Sequence, residues 1–491
     1  MKKTRLDYTD FPYPGTSFGW QRNVSHLIRR FSMHKLNWML LTIFLANSLS
    51  ACAPVATPVQ VIPTTVEVAA EPAYGLHLLP LDDSRVASDL ATLTQLQSAR
   101  TPEDISLILK WHSHPVVTWN EQTRYWVAYY GMDPVVATRL YAMISVAQQR
   151  ALDALALAGV DFVSRRPRQL ESGIEPVKIS SDPFESAVLI GATEPVFLLL
   201  LTETEDLSRS MTEEARHALL MSGNILPSDL QAAEDFGRVV AEGIIQERMN
   251  DGSADAKKFD PLPIGESIWK PDPFRVRPEQ PGWGKVTPWL MSTGDQFRAP
   301  PPPAFDSLAF QSALEEVYEV QIAITHDQMA IAQKWADKRF TSTPPGHWNL
   351  IAANLIIKYG LSDREAAHLF SALNMAVMDA GIACWDTKYH YLIIRPWQVD
   401  TRISSLVGYP NHPSYPSGHS CFSAASAETL AYFFPAERES LWQMAEEASI
   451  SRLYGGIHYR FDMEAGQQIG RQIGGLAQEF AITQTWSPFV P

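Results

Sequence analysis

The chain has 491 residues and 46% of them are hydrophobic, which is enough for a sizeable buried core and excludes global disorder. A net charge of −14 argues against a general nucleic-acid binder, because phosphate backbones require surplus Lys and Arg. The three cysteines, Cys52, Cys384 and Cys421, exclude a framework of several disulfides, and the two later ones read as buried free thiols.

The amino-terminal segment carries its own signal. Met33-His34-Lys35 makes a basic start, Trp38 to Leu49 is an apolar run too short to span a bilayer, and Leu49-Ser50-Ala51-Cys52 follows. This segment resembles the lipobox of bacterial lipoproteins, in which small residues admit the signal peptidase and the cysteine thiol carries the lipid. The resemblance implies an extension and lipoprotein-type signal peptide over residues 1–52, export, and attachment to the bacterial cell envelope, with membrane contact only through a lipid anchor. The competing reading is a core segment that ends in Cys. Residues 53–75, rich in Pro and Thr, suit an extended linker. No other run approaches transmembrane length, so a soluble body is expected to follow.

An amino-terminal helical region is expected over 76–300. Its start, around the irregular stretch His112 to Asn120, reads as non-helical. From 125 onward the pattern is helical. Val135 to Ala158 places apolar residues three and four apart behind Pro134, a helix starter, and 184–203, 211–222 and 228–249 repeat the period. The last of these stops at Asn250-Asp251-Gly252. Residues 262–304 are Pro-rich and aromatic and read as a long loop that wraps the body and lends some residues to a substrate mouth. A carboxy-terminal helical region follows over 301–491. It has helical pattern at 307–338 and 348–358, a helix from the capping box Ser362-Asp363-Arg364-Glu365 to about 385, then 417–434, 436–453 and 462–482. About ten helices with few strand signals make the class mainly α, built as helical bundles.

Three segments in the last third carry chemistry. Lys388 and Arg395 are seven apart, a point charge and a fork of donors, and Pro396 ends any helix there. Pro416-Ser417-Gly418-His419 precedes a run of helix formers. Free amides at a helix start bind anions, Gly418 permits close approach, the Ser417 hydroxyl adds a donor, and His419 moves protons near neutral pH. In Ser451-Arg452 to His458 and Asp462, the pair Gly455-Gly456 allows a turn that aims Arg452 and His458 at one point. Asp462, four after His458, is placed to orient His458 or Arg452. Together these residues define one oxyanion pocket.

The ordered pattern Lys-x6-Arg-Pro, Pro-Ser-Gly-His, Ser-Arg-x5-His-x3-Asp resembles that of the vanadium-dependent haloperoxidases, bacterial type, within the type 2 phosphatidic-acid phosphatase superfamily. The likeness extends over about residues 105–482. It implies an α-helical fold with the site between bundles, and a vanadate cofactor with His458 as the only protein ligand to the metal. Lys388, Arg395, Ser417, Gly418 and Arg452 would hydrogen-bond the vanadate oxygens, His419 would be the acid–base group, and Lys388 would polarise the bound oxidant. Hydrogen peroxide and halide would then give hypohalous acid, which halogenates a small organic acceptor. His412 is expected to line the site and to tilt preference to bromide or iodide, with Trp385 in the wall. Asp379 and Asp386 stand as candidate partners for the cations or as an exposed helix face.

Two rival functions stay open. An acid phosphatase would use the same pocket, with His458 as the phosphohistidine nucleophile and His419 protonating the leaving group. Phosphate is in any case a competing ligand, and phosphatase activity is the expected property of a vanadium-free form. A non-catalytic surface lipoprotein that binds an oxyanion is the third reading. The sequence leaves the oligomeric state open.

Overall fold

The computed structural model describes residues 75–489, except 82–83, 171–172, 202–204, 259–260 and 275–276. The expectations for the signal peptide, Cys52 and most of the linker lie outside the described residues. Fifteen α-helices follow one another, with no strand among the described residues. They are α1 (Ser84–Ala99), α2 (Pro102–His112), α3 (Pro115–Tyr130), α4 (Pro134–Leu157), α5 (Pro183–Leu200), α6 (Glu205–Ser222), α7 (Pro227–Arg248) and α8 (Leu308–Ile322). The rest are α9 (His326–Lys334), α10 (Thr343–Tyr359), α11 (Asp363–Tyr391), the short α12 (Pro396–Val399), α13 (Gly418–Phe433), α14 (Arg438–Tyr454) and α15 (Arg460–Thr483). The mainly α, bundled class expected from the sequence is the observed one.

Local chemistry explains most starts. Proline stands at the first turn of α2, α3, α4, α5 and α7, where its missing N–H costs nothing and its fixed φ suits a helix. The Ser362–Glu365 capping box is formed, and α11 opens on it. Two expectations need correction. The stretch His112 to Asn120 is not irregular: α2 ends at His112, and Pro115 restarts the chain as α3. The helix expected to stop near 385 continues to Tyr391, so Lys388 sits in its last turn.

One continuous core runs from Ile108 to Trp486, with residues from both sides of position 300. Here α4 packs on α11 and α5, α5 packs on α7, and α13 packs on α11, α14 and α15. The α13–α15 contact is backbone to backbone. A Cβ at Gly466 would lie 2.7 Å from the Ser417 carbonyl oxygen, and one at Gly470 would lie 2.5 Å from that of Cys421. Glycine at these two positions is what lets α15 hold the start of α13 so closely. Helices α5 and α11 are long and apolar enough to cross a membrane, contrary to expectation, but 72% and 94% of those stretches are buried within the fold.

The Pro-rich segment wraps α11. The buried Asp379 carboxylate accepts backbone N–H bonds from Trp289 (2.8 Å), Leu290 (2.7 Å) and Met291 (2.9 Å). Asp386 takes a two-pronged ion pair from Arg298 at 2.7 and 2.9 Å. Asp379 and Asp386 therefore anchor this segment, and neither is a partner of the pocket cations or part of a bare exposed face. The thiols of Cys384 and Cys421 are free and buried.

Candidate active site

Three connections converge on one point: the end of α11, the loop 411–417 that leads into α13, and the turn between α14 and α15. Lys388 is fully buried at the end of α11. Its ammonium donates to the carbonyls of Pro413 (2.9 Å), Ser414 (2.9 Å) and Pro416, and so holds the loop that presents Ser417. Ser417 caps α13, its Oγ accepting from the Ser420 amide at 3.4 Å. Its own amide donates to the Asp462 carbonyl at 2.8 Å, which ties α13 to α15.

Arg395 joins the two histidines. Its Nη1 donates to the Ile457 carbonyl at 2.7 Å and to His458 Nε2 at 3.0 Å, and its Nη2 to His412 Nδ1 at 3.1 Å. A guanidinium can only donate, so His458 Nε2 is a lone-pair nitrogen, while His412 Nδ1 lies between the Arg395 guanidinium and the Pro413 carbonyl at 3.3 Å. His458 Nδ1–H then donates to Asp462 Oδ2 at 2.8 Å. That oxygen also accepts from Ser414 Oγ (2.6 Å) and the Tyr459 amide (3.1 Å). Asp462 thus orients His458 and not Arg452, and it fixes the tautomer that turns the Nε2 lone pair toward the pocket. Arg452 is held by the Ser451 hydroxyl (2.8 Å) and the Ala332 carbonyl (3.1 Å).

A cavity of about 280 Å³ opens over this cluster, and Gly418, His419, Arg452, His458, His412 and Trp385 line it. Lys388, Arg395, Ser417 and Asp462 form the layer behind. The Gly418 position is not filled by the protein's own packing: a Cβ there would meet only ordinary contact, 3.5 Å from Trp385 Cζ3. His419 Nε2 is buried without a partner, while its ring hydrogen-bonds the Trp335 main chain, a neighbour that sequence spacing gave no means to find. The Trp385 ring lies 4.8 Å from that of His412, and the Lys388 ammonium lies 5.8 Å from the Trp385 ring.

The electrostatics are those of an unneutralised cationic pocket. Burial pulls Lys388 down to about 8 and both Arg395 and Arg452 down to about 10. Burial, reinforced by these cations, also keeps His412, His419 and His458 well below the usual histidine range, so all three rings are neutral at pH 7. Burial raises Asp462 to about 6. Three buried cations, a helix amino terminus and a neutral imidazole lone pair are complementary to a tetrahedral oxyanion. Among the described residues no three His, Cys, Asp or Glu side chains are grouped to hold a bare metal cation.

Residues 367–485, which contain all of these motifs, match the PAP2 superfamily. Among its relatives is the vanadium chloroperoxidase of Curvularia inaequalis, 21% identical over 40% of this chain and 48% of that one, so the chain spans about half of that relative's length. Another is a non-specific acid phosphatase of Salmonella typhi, 25% identical over 40% of this chain and 76% of that one. The fold resembles the first bacterial vanadium-dependent iodoperoxidase structure, with a TM-score of 0.60 and 24% identity, covering 74% of this chain and 94% of that one. It also resembles a holo-type bacterial vanadium-dependent chloroperoxidase, with a TM-score of 0.54 and 16% identity, covering 73% and 93%. The chain thus has the all-α fold of the vanadium haloperoxidases, and its named relatives are enzymes of two kinds, haloperoxidases and phosphatases.

Proposed function

We propose that this chain is a vanadate-dependent haloperoxidase that uses hydrogen peroxide to oxidise bromide or iodide to hypohalous acid, which halogenates a small organic acceptor. The observation that carries the reading is the buried surplus of positive charge around one imidazole lone pair. Lys388, Arg395 and Arg452 are at most 1% exposed, and Asp462 is the carboxylate buried among them. Each buried ion costs several kcal/mol unless it is paired, so a multiply charged oxyanion is the natural occupant.

The residues fit vanadate. His458 Nε2 would hold the metal, and Lys388, Arg395, Ser417, the Gly418 amide and Arg452 would hold the oxygens. When bound, vanadate supplies Lewis acidity toward peroxide without changing its oxidation state. The chain does the rest. Asp462 keeps the His458 proton on Nδ1. His419, neutral and with Nε2 unpartnered, takes a proton from incoming hydrogen peroxide. Lys388 places a positive charge behind the oxidant. Trp385 and His412 form the wall beside the reacting oxygen, and their imidazole–indole surface suits large, weakly hydrated halides.

The acid phosphatase reading rests on the same lone pair, with His458 Nε2 attacking phosphorus. It requires His419 to protonate the leaving group. Bromination of dimedone with peroxide and vanadate, set against hydrolysis of p-nitrophenyl phosphate without vanadate, separates the two. Absence of peroxide-dependent halogenation at saturating vanadate contradicts the first reading. A non-catalytic oxyanion binder would keep its ligand in His419→Ala and would have no turnover to lose. Export and lipid attachment at Cys52 are proposed on Leu49 to Cys52 alone, and an intact Met1 in mass spectra of the mature protein would rule them out.

A further inference from the structure

We propose that Tyr409 is a modification site of this protein, whose ring takes a halogen beside its hydroxyl from hypohalous acid leaving the pocket. The inference rests on the haloperoxidase reading above. Tyr409 lies in the loop between α12 and α13, three residues before His412, and it is the tyrosine among the residues that line the cavity over Arg452 and His458. It is also 49% exposed, whereas Arg452 and His458 are 1% and 2% exposed. A side chain that lines the cavity and is half open to water stands where the cavity meets solvent, on the way out for a small product formed beside His458.

The ring is held in place and left reactive. It meets Trp397 edge to face, with centroids 5.1 Å apart and planes at 69°, and the Trp397 ring in turn lies 5.4 Å from the Arg395 guanidinium. The loop before it is closed on Ser405, whose hydroxyl donates to the Gly408 carbonyl at 2.5 Å and accepts from the Val407 amide at 3.1 Å. The Tyr409 hydroxyl accepts only a long contact from the Ser405 amide, at 3.5 Å, so its lone pairs remain available to feed electron density into the ring. Of the other oxidisable residues in the lining, Met132 would end as a sulfoxide, which carries no halogen, and Trp385 is 2% exposed in the wall.

The step balances with hypohalous acid as the oxidant. The ring carbon beside the hydroxyl-bearing carbon bonds the halogen as the halogen–oxygen bond breaks, and that carbon then loses its proton. The proton joins the released hydroxide, so tyrosine and hypohalous acid give halotyrosine and water, with the ring oxidised and the halogen reduced. Exposure alone does not single out Tyr409. Tyr125 and Tyr129 on α3 are 53% and 51% exposed and stand outside the cavity lining. Reagent arriving from bulk solution should therefore treat the three tyrosines alike, and reagent made in the pocket should meet Tyr409 first.

The test compares two routes to the same reagent on the full chain, read by peptide mass spectrometry before the average chain carries a halogen. In the first, protein equilibrated with orthovanadate receives limiting peroxide with bromide, or in parallel with iodide, and dimedone is present as a competing acceptor. In the second, vanadate-free protein receives the hypohalous acid directly. The direct reagent should label Tyr125, Tyr129 and Tyr409 within about threefold of one another, and turnover should raise the Tyr409 share by about tenfold or more over the other two. Tyr409→Phe, which keeps a ring against Trp397, should leave that peptide without halogen in either route; a halogen still found there belongs to a neighbour and overturns the inference. An equal Tyr409 share in both routes, or a lower one in turnover, while dimedone is halogenated, also overturns the inference and leaves the haloperoxidase reading standing. No halogen on dimedone or on any tyrosine during turnover with either halide, against labelling by the direct reagent, overturns that reading and the inference with it.

Discussion

Asp462 offers the sharpest separation of site from scaffold. One of its oxygens, Oδ2, accepts three hydrogen bonds, from Ser414, His458 and Tyr459, while Oδ1 is buried with no partner. In Asp462→Asn the amide oxygen can keep the three acceptor roles, and the NH2 group takes the unpartnered position. The three bonds lose charge assistance, but a buried charge is also removed, so these terms oppose and the net change in stability should stay within about 1–2 kcal/mol. For a unit of this size that is about 2 °C in Tm. The imidazole fares differently. Without the carboxylate, nothing favours Nδ1–H over Nε2–H strongly, and His458 loses basicity at the nitrogen facing the pocket. Loss of such an orienting partner costs about 10- to 100-fold in affinity, about 1.4–2.7 kcal/mol. Orthovanadate binding by titration calorimetry, beside a thermal melt, is the assay. Unchanged vanadate affinity with unchanged Tm would refute the claim that His458 Nε2 is the binding atom and Asp462 its orienting partner.

Other expectations follow from the same geometry. Gly418→Ala places its methyl in ordinary contact with Trp385, so a thermal melt should detect no loss of stability, while sulfate affinity should fall about tenfold or more as the Gly418 amide is shielded. Lys388, lowered to about 8, carries its charge below that pH, so sulfate binding to the free protein should weaken as pH rises through about 8, and Lys388→Arg should remove that limb if it folds. In the anion-free protein the same group makes stability rise between about pH 8 and the ordinary 10.5, where the unfolded chain retains a proton that the folded chain has released; urea melts across that range check the sign. Asp379→Ala strands three backbone N–H groups of the Pro-rich segment and should cost about 3 kcal/mol, lowering Tm by about 3–4 °C and loosening the Glu279 side of the pocket, which hydrogen exchange of residues 289–291 would register.

The pocket was legible in the sequence where its residues sit in short ordered motifs. Lys388, Arg395, Ser417, Gly418, His419, Arg452 and His458 converge as spacing and motif order implied. Asp462 also meets His458, although its helix begins only at Arg460 and the contact is made across a cap. What escaped the sequence was set by tertiary contact. Glu279 lies in a segment with no period, and only its pairing with Asn411, Trp385 and Tyr389 brings it to His412. Asp379 looks like a helix-face carboxylate until the Pro-rich chain folds over it. The start of α3 was hidden because His112-Ser113-His114-Pro115 reads as a break, which it is, but one of only two residues between helices. The glycines Gly466, Gly470 and Gly474 recur every four residues on α15, and that visible stripe is the seat of α13, on which Ser417 depends.

If an oxyanion binds at His458 Nε2, a crystal structure of the protein equilibrated with orthovanadate shows it directly. Vanadium is expected at bonding distance from His458 Nε2, with its oxygens within reach of Lys388, Arg395, Ser417, the Gly418 amide and Arg452. An anion bound elsewhere, or a pocket without vanadium at saturating concentration, would contradict it.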